Sequence, residues 1–223
     1  MSVQQVLGVL LGYLLGAIPT GLIAVRIARG RDIRKWYSGR TGATNVMRVA
    51  GYFPALITLL GDVFKATFAV LLGGWITGGN PWVEALAGAA AVLGHNYSVF
   101  LLEREDGRLV WQGGAGGASS WGAFFGLSPI GALVSIPILL GAIYYGIGYA
   151  SVATMSVPLL AGIFFAVRAV LGIGPWAYVI FAILVEILVA WSLRLNIRRL
   201  LRGEERLVGW RAKRKIEGES EAD

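Results

Sequence analysis

The sequence predicts an all-α, polytopic integral membrane protein, a helical bundle of about seven segments with one of them short or broken. Three observations carry this. Of the 223 residues, 56% are hydrophobic and 15% charged, well under the roughly 25% charged fraction of soluble domains. The apolar residues run in stretches of about 20, the length that a helix rising about 1.5 Å per residue needs to cross a hydrocarbon core about 30 Å thick. Lysine and arginine collect behind the first apolar stretch and after the last.

Residues 3–28 make the first segment. They follow Met1-Ser2-Val3-Gln4-Gln5, which lacks the basic start and small-residue cleavage site of a signal peptide, so the segment reads as an uncleaved span. A polar loop follows, with Arg29, Arg31, Arg34, Lys35, Arg40 and Arg48 set against Asp32. Residues 51–77 are apolar again but carry Asp62 and Lys65, which lie three apart on one helix face and can pair. Ionisable groups at that depth are costly and turn to the bundle interior. The uncharged turn Gly78-Gly79-Asn80-Pro81 separates this segment from the third, residues 82–102. A charged insert from Glu103 to Gln112 and a glycine run then lead to residues 116–128, too short to cross alone and tolerable as a re-entrant or broken element. Residues 130–148, 151–171 and 174–194 complete the set. Glu186 and Arg168 have no obvious partner, and mutual pairing is open.

Cytoplasmic loops carry the excess of Lys and Arg. The basic loop is therefore expected inside and the 78–81 turn outside. The stretch from Arg194 onward, with nine basic and six acidic groups, is also expected inside. This gives an external N-terminus and a cytoplasmic C-terminus. Residues 1–202 form one membrane domain, and residues 203–223 a charged cytoplasmic tail. The net charge of +7 suits anionic lipid headgroups, attracted at about 1 kcal/mol per basic residue near the surface, and no nucleic-acid partner is expected. The absence of cysteine excludes disulfides and thiolate chemistry. One histidine cannot make a multi-histidine metal site, so no metal is expected.

The chemistry-bearing candidate is the loop Ser38-Gly39-Arg40-Thr41-Gly42-Ala43-Thr44-Asn45-Val46-Met47-Arg48. Glycines let the backbone turn and present N–H groups, hydroxyls and an amide add directed hydrogen bonds, and arginines offer forked charge to phosphate. The bland alternative is a solvated turn capping a helix that begins near Asn45, since Thr44 and Asn45 are good caps. Even so, the helix N-terminus attracts anions. A second cluster begins at Gly94-His95-Asn96-Tyr97-Ser98 and resumes at Gly113-Gly114-Ala115-Gly116-Gly117-Ala118-Ser119-Ser120. Its glycines fit either a phosphate cradle or close helix packing. His95 could act as acid, base or phosphate ligand, or lie at the interface. Ser151 and Thr154, and Asn196 with its arginines, could line the same pocket, or serve helix contacts and membrane anchoring.

Together these pieces resemble the bacterial acyl-phosphate:glycerol-3-phosphate acyltransferases. Tyr13 to Gly21 is similar to the family's opening segment, and Asp32-Ile33-Arg34 leads into its Ser-Gly-x-x-Gly-Ala-Thr-Asn-x-x-Arg motif at Ser38 to Arg48. Asp62 and Lys65 match an Asp-x-x-Lys pair, Gly94-His95-Asn96 a Gly-His motif, and Tyr149 to Thr154 a Tyr-x-Ser-Leu-x-Ser stretch. Asn196 and the basic run to Arg202 match the end of a His-Arg-Glu-Asn-Ile motif. Ala115 stands where the family's glycine loop has lysine, Arg40 where the first motif has asparagine, and Leu193 and Leu195 where the last has histidine and glutamate.

The resemblance implies transfer of a fatty acyl group from acyl phosphate to the 1-hydroxyl of glycerol 3-phosphate at the cytoplasmic face of a bacterial plasma membrane. The product would be lysophosphatidic acid for phospholipid biosynthesis, made without cofactor, metal or acyl-enzyme intermediate. A substrate phosphate would take the hydroxyl proton. The implied catalytic residues are His95, Ser38, Arg48 and Asn196. Substrate binding would fall to Arg40, Thr44, Asn45, Gly113, Gly114, Gly116, Ser151 and Thr154, with Arg40 supplying the cation lost at Ala115. Two other readings stay open: a catalytically weak or noncatalytic paralogue that binds phosphorylated lipid precursors, and a small transporter using Asp62, Lys65 and Glu186. The halves of the chain show no convincing repeat to support transport.

Overall fold

The computed structural model describes residues 2–208, 210–212 and 214. Helix α1 (Val3–Ala17) opens with a capping box between Ser2 and Gln5, and α2 (Thr20–Arg29) follows after a break at Ile18-Pro19. Proline has no N–H and its ring collides with the preceding turn, so the break sits where the sequence demands it. In a membrane the freed carbonyls need donors. Lys65 Nζ reaches Ile18 O at 2.8 Å and Ser98 Oγ reaches Ala17 O at 2.5 Å. The two helices together still amount to one apolar run, Val3–Arg29, long enough to span.

A 3-10 turn (Ile33–Lys35) and α3 (Ala43–Ala50) occupy the basic loop, and α4 (Tyr52–Thr77) is the longest helix. Helix α5 (Pro81–Asn96) packs along α1 through small residues. A Cβ on Gly16 would overlap the backbone of Ala91, and Gly12 meets Ala87 in the same way. Close backbone approach of this kind is how helices associate where lipid offers no hydrophobic drive.

The all-α expectation needs one correction. The third segment is helical only to Asn96, and residues expected in its last turn belong to a hairpin of β1 (Ser98–Glu105) and β2 (Arg108–Gln112). Its two-residue turn, Asp106-Gly107, holds positive φ at both positions (47° and 78°), the geometry that matches the twist of paired strands. Strand residues Val99 and Phe100 favour extended backbone. Arg34 ties the hairpin to the basic loop, bonding Glu103 at 2.5 Å and Asp32 at 2.6 Å.

Helix α6 (Gly117–Leu127) is the short segment, and α7 (Pro129–Pro137) runs into a π-helical stretch (Ile138–Ile147). Then come α8 (Ala150–Val170), α9 (Trp176–Ser192) and α10 (Arg194–Leu201), the last two bent by 69°. Among the described residues three runs are long and apolar enough to cross a membrane, Val3–Arg29, α4 and α8, and the bent α9–α10 pair would make a fourth. The chain is a multi-pass helical membrane protein. Phe124, Phe165 and Phe181 anchor its core, and Phe165 makes edge-on ring contacts with Phe124 and Tyr178. Arg168 and Glu186 do not pair: Arg168 Nη2 donates to Ile173 O at 2.8 Å, and Glu186 Oε2 is buried without a hydrogen-bond partner among the described residues.

Candidate active site

A polar cavity of about 640 Å³ opens where α3 and α8 begin and α9 gives way to α10. Ser38, Arg40, Thr44, Asn45, Arg48, Ser151, Thr154 and Asn196 all line it, as does Ala115. Four segments distant in sequence converge, which the local motifs alone did not require.

The first loop is shaped by its own backbone. Gly39 holds φ of 68°, and a side chain there would press on Arg34 O. Helix α3 starts at Ala43 with Gly42 in the N-cap and no side-chain cap, so neither Thr44 nor Asn45 caps it. Asn45 instead turns back, donating from Nδ2 to Arg40 O at 2.8 Å and Trp36 O at 3.2 Å, which closes the loop on itself. The uncapped N–H groups leave the positive end of α3 at the cavity. Ser38, Thr44 and Arg48 are exposed to the cavity side of this loop, and Arg48 has no hydrogen-bond or ion-pair partner among the described residues.

Arg40 crosses to the far end of the chain. Its Nη2 donates to Ser192 O at 2.6 Å and to Asn196 Oδ1 at 3.3 Å, while Nη1 is buried without a partner among the described residues. The Ser192 carbonyl belongs to the negative end of α9, so the guanidinium braces the 69° bend. Burial first, then repulsion from Arg194 and Arg199, pushes the Arg40 pKa down from its ordinary value. An arriving anion would relieve both. Asp32, at the start of the same loop, is held down to about 2, chiefly by hydrogen bonding to Arg34.

His95, Gly113, Gly114 and Gly116 do not line the cavity but lie beneath it. His95 is 5% exposed. Its Nδ1 is 3.1 Å from Lys65 Nζ and 3.3 Å from Asp62 Oδ1, and Lys65 and Asp62 pair at 2.8 Å. Thr20 Oγ1 also donates to Asp62, at 2.5 Å. This buried network supports the glycine loop from below: Gly114 N donates to His95 O at 2.8 Å, and a Cβ on Gly114 would overlap the imidazole. Gly116, at φ 99°, has the Asn96 amide against it, and Gly113 O accepts from Thr41 N at 3.2 Å, joining the two loops. Asp62 and Lys65 thus pair as their spacing predicts, with His95 and the broken first helix added to the pair.

Four further charged side chains line the cavity. Glu205 accepts from Ser151 Oγ at 2.6 Å and from Asn196 Nδ2 at 3.3 Å, and Glu204, Arg199 and Arg206 also line the cavity. The sequence boundary at residue 202 therefore falls inside the site, and the stretch 203–208 packs on the bundle through an antiparallel bridge between Tyr149 and Leu207. No local pattern marks Glu205, since it sits in a run of mixed charge. The rest of the tail, 215–223, lies outside the described residues. Among the described residues no three His, Cys, Asp or Glu side chains group as metal ligands would.

Fold and site define a small, multi-pass helical membrane protein with an arginine-bearing polar pocket built from loops at the helix ends. A family model described as "Glycerol-3-phosphate acyltransferase" matches residues 6–203. Similar curated proteins include the glycerol-3-phosphate acyltransferases of Synechococcus sp. strain CC9902, 38% identical over 96% of this chain and 100% of that one, and of a Thermus thermophilus strain, 40% identical over 91% and 94%. The crystal structure of PlsY (YgiH), an integral membrane glycerol 3-phosphate acyltransferase, in its glycerol 3-phosphate form matches with a TM-score of 0.75 at 33% identity, over 92% of this chain and 96% of that one. This chain belongs to the glycerol-3-phosphate acyltransferase family.

Proposed function

We propose that this protein transfers a fatty acyl group from acyl phosphate to the 1-hydroxyl of glycerol 3-phosphate, forming lysophosphatidic acid. The observation that carries the reading is the convergence of Ser38, Arg40, Arg48, Ser151 and Asn196 on one cavity next to the uncapped start of α3. The solved PlsY structures in glycerol 3-phosphate and lysophosphatidic acid forms support it.

The hydroxyl oxygen attacks the acyl carbonyl carbon, the bond from that carbon to the phosphate oxygen breaks, and inorganic phosphate leaves. The hydroxyl proton passes to a substrate phosphate oxygen. The protein's part is to hold two anionic reactants together and to offset their repulsion, which is positioning plus electrostatic stabilisation. Arg48, Ser38 and Thr44 face the phosphates, the Arg40 guanidinium supplies the charge absent at Ala115, and Ser151, Thr154 and Asn196 close the opposite wall. His95 acts through the glycine loop that it supports.

The basic residues around the cavity favour the cytoplasmic face of a bacterial plasma membrane, with the N-terminus outside and the C-terminus inside. Seven membrane segments satisfy that sidedness: α1–α2, α4, α5, α6, α7 with its π extension, α8 and α9. Residues 1–202 carry most of the site, and 203–208 complete it. Purified protein in lipid, given glycerol 3-phosphate with acyl phosphate or acyl coenzyme A, is expected to make lysophosphatidic acid from acyl phosphate. No product from either donor would overturn the reading.

A further inference from the structure

The segment after α10 is turned back over the cavity. Gly203 at φ 71° reverses the chain, with Gly203 N donating to Leu200 O and Glu204 N to Arg199 O. Four residues on, Val208 N donates to Gly148 O at 2.8 Å, and Leu207 pairs with Tyr149. Half-buried Glu205 lies between these two anchorages, with one carboxylate oxygen on Ser151 and the other on Asn196. Ser151 is 2% exposed, so its hydroxyl serves few possible partners. Asn196 is in turn bonded to Arg40, whose buried Nη1 has no partner among the described residues. The arrangement is a carboxylate held by a hydroxyl and an amide, donors that also suit a phosphate oxygen, with the amide bonded in turn to a guanidinium.

We infer that Glu205 is an internal anion that competes with substrate phosphate for Ser151 and Asn196. The inference rests on the reading of this cavity as the substrate-phosphate site. A hydroxyl proton and an amide N–H can serve the carboxylate or the phosphate, and two anions sharing them repel. Substrate therefore binds by displacing Glu205, and the segment 203–208 acts as a strap whose closure lowers apparent affinity. If the carboxylate holds its donors nine-tenths of the time, the reduction is about tenfold, because apparent affinity scales with the fraction of protein in the competent state.

The experiment is binding of inorganic phosphate to the full-length protein in nanodiscs, read by calorimetry, for wild type and for Glu205→Gln and Glu205→Ala. The first variant keeps shape and removes charge, the second removes the group, and whichever is recovered folded reads the same quantity. The expected result is phosphate binding about tenfold tighter than wild type, with a lower KM for glycerol 3-phosphate. Equal or weaker phosphate binding in the folded variants would overturn the inference while leaving the cavity a phosphate site. Absence of phosphate binding in wild type and variants alike would overturn that parent reading, and the inference with it.

Discussion

Replacing Arg40 by asparagine separates two roles of its guanidinium. The side chain gives hydrogen bonds to Ser192 O (2.6 Å) and Asn196 Oδ1 (3.3 Å), and its Nη1 is buried without a partner among the described residues. Hydrogen bonds to charged groups contribute about 1.5 to 3 kcal/mol, and one electrostatic contact to developing charge in a shielded site is worth about 3 to 4 kcal/mol. The second quantity sets the loss in the transition state, so kcat/KM for acyl transfer should fall by about 100-fold to 1000-fold at about 1.4 kcal/mol per decade. The assay is lysophosphatidic acid formation from acyl phosphate by detergent-purified protein, with thermal unfolding followed in parallel. Because Ala115 lines the same cavity, Ala115→Lys in the Arg40→Asn background should restore part of the rate without restoring the brace on Ser192. The rate and the unfolding midpoint should then separate in the double-mutant cycle. Unchanged kcat/KM in folded Arg40→Asn protein would refute the assignment of the substitute cation to Arg40. Loss of rate that Ala115→Lys leaves untouched would refute the shared-cavity argument.

Lys65→Met leaves Asp62 buried without its ammonium and strips the donor from Ile18 O, which should cost about 3 to 5 kcal/mol in an equilibrium unfolding titration; pairing it with Asp62→Asn should recover part of that loss. Gly114→Ala drives a methyl group into the His95 imidazole and should cost about 1 to 3 kcal/mol by overpacking, with activity falling further than unfolding accounts for and partial recovery in a Gly114→Ala/His95→Ala protein. Asp32 has a lowered pKa of about 2, so its link to Arg34 is complete above the ordinary carboxylate pKa of about 4 and is lost as pH falls through about 2. Hydrogen exchange at the backbone N–H of Arg34, which donates to the same carboxylate, should accelerate over that window, and Asp32→Asn should remove the dependence.

The multi-pass helical character is legible because length and hydropathy answer directly to bilayer thickness, and the pairing of Asp62 with Lys65 because helical spacing places them on one face. The hairpin is written in Asp106-Gly107, yet the apolar run Val99 to Leu102 reads equally as the end of a helix until the turn geometry decides. His95 has polar neighbours in sequence that suggest a cavity-facing role, but burial and the close approach of Gly114 place it under the loop. Glu205 has no local signature at all. Its position follows from the reversal at Gly203 and the pairing of Leu207 with Tyr149, both of which arise only after the helices dock.

The bond from Arg40 to Ser192 joins residues 152 positions apart, and that separation orders the protein's biogenesis. Chains are made from the N-terminus at about 5 to 20 residues per second, so the loop carrying Arg40 emerges about 8 to 30 seconds before the carbonyl it braces. During that interval the guanidinium has lipid headgroups and water for company, and the cavity lacks the lining that Leu193, Leu195 and Asn196 supply. An intermediate truncated before α9 can insert its first spans, but it is expected to have no acyl-transfer site.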